Sequence, residues 1–180
     1  MVQFQRLVSG NDSRYADAMA LYGDSFPFHE RREAASQRRI LDDSAYRFYL
    51  IYDGDVWVGE LLCWETDDWI YVEHFCIVPR LRGRRYGQQA LALLQSYGKT
   101  VILEIDPPVD AVSIRRKDFY QRCGYRANPF PHVHPPYHAN CAGHSLVVMT
   151  CPREISQSEY DGFYRYLQTV VMKNVTERNV

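Results

Sequence analysis

VPRLRGRRYG, residues 78–87, sets four arginines and two glycines between two apolar runs of a chain whose formal charge is only −1. The residues before it, WIYVEHFCIV, are β-branched and aromatic and read as a buried strand. After it, Tyr86, Ala90, Leu93, Leu94 and Tyr97 fall at helical spacing, with Gly98 at the C-cap position. The basic turn therefore opens a helix, where the first backbone N–H groups lack intrahelical partners and the macrodipole favours an anion. Gly83 and Gly87 let the backbone curl close to a ligand, and Arg82, Arg84 and Arg85 raise the local positive potential, a combination that suits a pyrophosphate. The spacing is neither GxxxxGK[ST] nor GxGxxG, and taken alone the decapeptide reads equally well as a basic surface turn.

Working outward, TVILEI (100–105) is a second β-branched run. Strand, helix and strand joined by short turns form a crossover unit, so 69–78 and 100–105 are expected to be parallel neighbours or near neighbours. Upstream, VQFQRLV predicts a first strand, and Asn11 or Asp12 is the expected cap of a helix with Tyr15, Ala18, Met19 and Tyr22 on one face. GDSFPFHERRE interrupts that helix, and a second is expected from near Glu30 to residues 42–44. YRFYLIYD, Asp53-Gly54, VWVGELLCWE, Thr66-Asp67-Asp68 and WIYVEHFCIV together predict an antiparallel meander.

Downstream, Val112, Arg116, Phe119, Tyr120 and Cys123 predict a short helix stopped by Gly124. NPFPHVHPPYHANCAGH reads as an irregular loop and SLVVMT as a strand. Ser156 and Glu159 make a capping box for a last helix, whose stripe of Tyr160, Phe163, Tyr164, Leu167, Val170 and Val171 either covers the sheet or makes a homodimer contact.

The 180 residues, 46% hydrophobic and 24% charged, suit one domain over 1–180. A near-neutral charge gives no global field toward nucleic acid or an anionic membrane, so neither partner is expected. No run approaches the roughly 18 apolar residues of a membrane helix, and MVQFQRLVSG lacks the regions of a signal peptide, so a cytoplasmic location is expected. The five scattered cysteines read as reduced thiols.

VEHFCIVPRLRGRRYGQQALALL resembles the acetyl-CoA signature of the GNAT superfamily of N-acyltransferases, an apolar strand with a V-x-P-like end followed by [RQ]-x-x-G-x-[GA] and a helix. Arg82 and Gly87 keep the first and last motif positions, and Arg85 stands at the usual fourth-position glycine. VSIRRKDFYQRCGYRAN resembles the family's N-x-x-A-x-x-F-Y-x-x-x-G-[FY] segment, with Phe119-Tyr120 and Gly124-Tyr125 in place. There Ser113 replaces a CoA-contacting asparagine and Arg116 a small residue. SFPFHERRE, LEIDPP and HPPY are similar to segments of a bacterial subgroup of the superfamily.

The resemblance implies an α/β fold, a mixed twisted β-sheet flanked by α-helices, with acetyl-CoA as cosubstrate in the gap between strands 69–78 and 100–105. It implies that the backbone of Cys76, Ile77 and Val78 follows the pantetheine, with one amide polarising the thioester. Arg82, Gly83, Arg84, Arg85, Tyr86, Gly87 and Gln88 would surround the pyrophosphate, with Ser113 and Tyr120 as further cofactor contacts. Tyr120 matches the tyrosine that points at the CoA sulfur as general acid; a phenol of pKa about 10 is close enough to a thiol of about 8.5 to reprotonate it.

For the base the candidates are His74 and Glu73, adjacent on a strand and so expected on opposite sides. His74, eight residues before Arg82 and with an ordinary pKa of about 6.5, is the first choice. A bulge, usual in the family, would change the facing of Glu73. Cys76 as nucleophile is disfavoured, because a thiol in an apolar strand holds its proton. His132, His134, His138 and His144 have neither a helix to align them nor an obvious carboxylate partner, so no metal is expected. With Tyr137, Phe26, Phe28 and Glu30 they are expected to rim the acceptor pocket. The function so implied is direct acetyl transfer from acetyl-CoA to a primary amine of a small molecule or peptide. The alternatives are a non-catalytic acyl-CoA-binding module and acetylation of a protein lysine or N-terminus.

Overall fold

The computed structural model describes residues 1–173 and 175. In chain order the strands are Val2–Leu7 (β1), Tyr46–Asp53 (β2), Val56–Glu65 (β3), Trp69–Ile77 (β4), Thr100–Ile105 (β5), Arg126–Ala127 (β6), Val133–His134 (β7), His144–Ser145 (β8) and Val147–Cys151 (β9). The helices are Tyr15–Ser25 (α1), Ala34–Arg39 (α2), Tyr86–Gln95 (α3), Ala111–Arg122 (α4) and Gln157–Tyr166 (α5). Seven strands form one sheet in the order β1-β2-β3-β4-β5-β9-β6, antiparallel except for the β4–β5 pair, and β7 pairs with β8 separately. The expected crossover through α3 and the antiparallel meander are both present. Among the described residues no helix is long and apolar enough to cross a membrane.

The central strands look almost continuously apolar because both sheet faces are covered. Leu61, Cys63, Val72, Leu103 and Met149 pack with Ala90, Leu91 and Leu94 of α3. Their alternates, Leu62, Trp64, Tyr71, Ile102 and Val148, pack with Ala18 and Tyr22 of α1 and with Phe163 of α5. Period-two alternation thus sorts one strand into two cores. The stripe of the last helix is spent on the sheet: Phe163, Leu167 and Val171 are fully buried.

Four local expectations need correction. Residues 28–30 form only a 3-10 turn, and the second helix starts at Ala34, because Arg31 to Glu33 are extended. The carboxylate of Asp12 accepts from the backbone N–H of Arg14 and grips its guanidinium, so it shapes the turn before α1 while Arg14 holds the N-cap position. The histidine-rich loop contains the β7–β8 pair. Ser145 belongs to that pair, and β9 starts at Val147.

β4 and β5 pair only from Trp69↔Thr100 to Val72↔Leu103 and then separate. The register with β3 explains where. Cys63 faces Val72 but Leu62 faces His74, so Glu73 is an extra residue, a β-bulge that bends and twists the strand away from its neighbour.

Candidate active site

A cavity of about 940 Å³ occupies the split and opens on both sides of the sheet. The backbone of β4 supplies its wall. The N–H of Val78 donates to Val58 O at 3.0 Å. By the alternation of an antiparallel ladder, Cys76 and His74 also turn their backbone groups toward β3, and Phe75 and Ile77 turn theirs into the split. Of the backbone expected to follow the pantetheine, that of Ile77 faces the split, as does that of Phe75, whereas that of Cys76 faces β3 and the Val78 amide is already used, its side chain buried. Side chains follow the opposite parity. Phe75 and Ile77 point at α3, where a Cβ on Gly87 would lie 3.7 Å from each, and His74 points at Tyr22 and Phe26.

On the α3 side the lining is basic. Arg82, Gly83, Arg85, Tyr86, Gly87 and Gln88 line the cavity. Arg84 is exposed outside it. Gly83 has φ +79° and Arg85 φ +64°, both in the left-handed region. That conformation explains the glycine at the fourth motif position and costs an arginine there about 1–2 kcal/mol. The first intrahelical bond runs from Gln89 N–H to Arg85 O, which leaves the N–H groups of Tyr86, Gly87 and Gln88 for a ligand. Arg115, Arg116 and Arg122 of α4 join the same lobe, a contribution that motif reading passed over although the Arg115-Arg116 pair was visible.

Ser113, expected to contact the cofactor, is instead buried in the helix cap: its Oγ accepts from the N–H of Val109 and Asp110. Tyr120 lines the cavity, and its hydroxyl takes no hydrogen-bond partner among the described residues. Burial pushes that phenol up to about 12.

On the opposite side the lobe is built by Ser25, Phe26, Pro27, His29 and Glu30 and by the 134–146 loop. His138 clamps that loop down, stacking on Phe28 at 3.9 Å and donating from Nε2 to Phe28 O at 2.9 Å. The four histidines do not meet at one point, but contrary to expectation they have carboxylates nearby: His132 and His134 both face Glu104, His138 faces Glu33 and His144 faces Asp106.

Where the strands part, Glu73 and Glu104 follow the last paired residues. Glu73 is 1% exposed at its side chain and Arg32, its partner at 2.9 Å, is 0% exposed. Glu73 also accepts from Tyr137 Oη (2.9 Å) and Trp64 Nε1 (2.7 Å). Burial alone would raise this carboxyl; Arg32, His74 and the two donors hold it below the usual range. Glu104 likewise accepts from Tyr71 Oη (2.6 Å) and pairs with His132, and these with His134 outweigh its burial and lower it.

His74 and Glu73 were expected on opposite faces, yet both approach Tyr137, because the bulge inserts Glu73 without reversing the next residue. His74 Nε2 lies 2.7 Å from Glu30 O, and a carbonyl only accepts, so Nε2 carries the proton. Nδ1 is left as a buried lone pair with no partner. Burial holds this imidazole below its ordinary pKa despite the neighbouring Glu73. The Cys76 thiol is pushed up to about 12 by burial, which removes it as a nucleophile. Neither Arg32 nor Glu104 was singled out by sequence, since each is marked only by contacts distant along the chain.

The sequence profile described as "Acetyltransferase (GNAT) family" matches residues 15–125. A solved structure assigned to the GNAT family from Bacteroides thetaiotaomicron is 29% identical, with TM-score 0.89 over 94% of this chain and 98% of that one. A Bacillus subtilis acetyltransferase in complex with CoA is 16% identical, with TM-score 0.55 over 83% and 97% of the two chains. A GNAT family acetyltransferase from Elizabethkingia anophelis with acetyl-CoA bound is 14% identical, with TM-score 0.52 over 83% and 96%. The last two carry the likeness of fold alone. Among curated proteins none matches the chain. With its profile spanning more than half of the residues, the chain belongs to the GNAT family of acetyltransferases.

Proposed function

We propose that this protein transfers the acetyl group of acetyl-CoA directly to a primary amine of a small molecule or peptide. The carrying observation is the split itself. One opening joins a basic lobe, with free N–H groups at the start of α3, to a lobe edged by the carboxylates of Glu30 and Asp106. The first suits the pyrophosphate of the cosubstrate and the second attracts an ammonium. Gly87 lets the start of α3 pack closely beside the split, since a Cβ there would press on Phe119 at 3.2 Å.

Acetyl-CoA, when bound, supplies the activated thioester. Arg82 and Arg85 neutralise phosphate charge, and the N–H of Phe75 or Ile77 donates to the thioester carbonyl, a preorganised bond that contributes roughly 3 kcal/mol as the oxygen gains charge. The acceptor sheds its first proton to solvent before attack; the second, lost as the nitrogen–carbon bond forms, reaches the buried Nδ1 of His74 through a relay water, while Nε2 stays fixed on Glu30 O. Tyr120 donates a hydrogen bond to the sulfur as the carbon–sulfur bond breaks. With the phenol at about 12 and a thiol near 8.5, transfer is uphill by about 5 kcal/mol even to the released thiolate, so the proton crosses only once the carbon–sulfur bond has broken, and Tyr120 regains one from solvent. Glu73, saturated by three donors, is better suited to orienting Arg32 and Tyr137 than to acting as a base.

The test is acetyl-CoA turnover over a panel of amines, with Tyr120→Phe beside the wild type. Expected are turnover on at least one amine, and a fall in kcat of about 10²-fold or more in the variant with KM for acetyl-CoA unchanged. Tight CoA binding with no turnover on any amine would instead favour a non-catalytic binding module.

A further inference from the structure

His29 and Glu30 end the turn at 28–30, and His144 opens β8 on the other side of the cavity mouth. Their donor atoms converge. His29 Nε2 lies 3.6 Å and His144 Nδ1 3.9 Å from the same oxygen, Glu30 Oε1, and all three atoms lie within 4.8 Å of one another. Those separations are too long for hydrogen bonds. They are close to the roughly 3.4 Å between ligand atoms of a tetrahedral centre with bonds of about 2.0–2.1 Å.

We propose that His29, Glu30 and His144 bind one divalent cation of borderline softness, zinc foremost, at the mouth of the acceptor lobe. Two independent features support a built site. Asp106 Oδ1 lies 3.3 Å from His144 Nε2, and Arg116 in turn holds Asp106. A carboxylate facing the far nitrogen favours the tautomer that leaves Nδ1 as donor, the outer-shell arrangement usual for a ligating histidine. The turn is also pinned beforehand, Glu30 O by His74 and Phe28 O by His138. Three protein ligands leave a fourth position for water. The four-histidine run did not expose this site because His29 lies far upstream of His144 in sequence. A bound cation would tie the turn to β8 and withdraw Glu30 from the acceptor.

The experiment is equilibrium dialysis of the untagged chain against zinc chloride, with cobalt(II) absorption as a second readout; neither depends on turnover. Expected are one equivalent of zinc and visible bands of tetrahedral cobalt with nitrogen and oxygen ligands. Both should be lost in His29→Ala and His144→Ala, with unchanged metal-free thermal unfolding, and Asp106→Asn should weaken binding by about 10–100-fold. Cys141→Ser, which removes the half-buried thiol of the same loop, should bind like wild type. Absence of stoichiometric binding to wild type, full binding by the His29→Ala/His144→Ala double variant, or loss in Cys141→Ser would each overturn the site.

Discussion

Glu60 lies opposite Cys76 in the β3–β4 ladder, fully buried, with Oε1 3.8 Å from the Cys76 thiol and Oε2 without a partner. Burial pushes its carboxyl up to about 8, opposed only by that thiol. In the unfolded chain the same group titrates near 4.5. Between these values the native state keeps a proton that the unfolded state has released, so stability falls as pH rises, by up to about 1.4 kcal/mol per pH unit. At pH 7 the accumulated loss is about 3 kcal/mol, and it levels off above the folded value at about 5 kcal/mol. Glu60→Gln keeps the shape and cannot ionise. Its advantage over wild type should be near zero around pH 4.5 and grow to about 3 kcal/mol at pH 7, a urea midpoint shift on the order of 1–2 M. Urea unfolding of both proteins at pH 5, 6, 7 and 8 measures this directly. A difference that stays constant across that range would refute the buried, singly partnered carboxyl.

Two further substitutions probe the site. Arg85→Gly removes an unfavourable left-handed arginine, so it should raise stability by about 1 kcal/mol in chemical denaturation, while loss of the cationic side chain from the lobe raises KM for acetyl-CoA several-fold. A destabilised Arg85→Gly would show that its side chain, not its backbone, matters to the fold. Arg32→Ala should cost about 3–5 kcal/mol by leaving Glu73 buried and uncompensated, and Arg32→Leu/Glu73→Leu should recover most of that loss; a double variant no better than the single one would argue against the pair as the cause.

What could be read in advance was local in sequence. The meander, the crossover and the basic turn each depend on patterns within a dozen or so residues, and those patterns match the strands and helices that form. What escaped was set across the sheet. Nothing near Arg32 announces that it is buried against Glu73 and Trp64, because an arginine in a polar segment ordinarily reads as solvated. Ser113 was aligned to a ligand contact, and the competing local bond, its hydroxyl closing the cap with Asp110, took the side chain. Which backbone groups from Phe75 to Val78 face the split could not be read beforehand, because alternation fixes which ones face β3 only once the register is known.

The bulge at Glu73 has a broader consequence. Residues 70–77 of β4, eight in number, face only seven residues of β3, and that surplus residue shapes the place where β4 parts from β5. Deleting it would leave every remaining β3–β4 partner matched, so an uninterrupted ladder is within one codon of this sequence. The shortened strand would lose the kink between its pairing with β5 and the point where they diverge. It would also bring a single polar side chain, not two neighbours, to that face. A change that improves the regularity of the sheet is therefore the one expected to seal it, and it would do so while leaving Arg32 buried without its carboxylate.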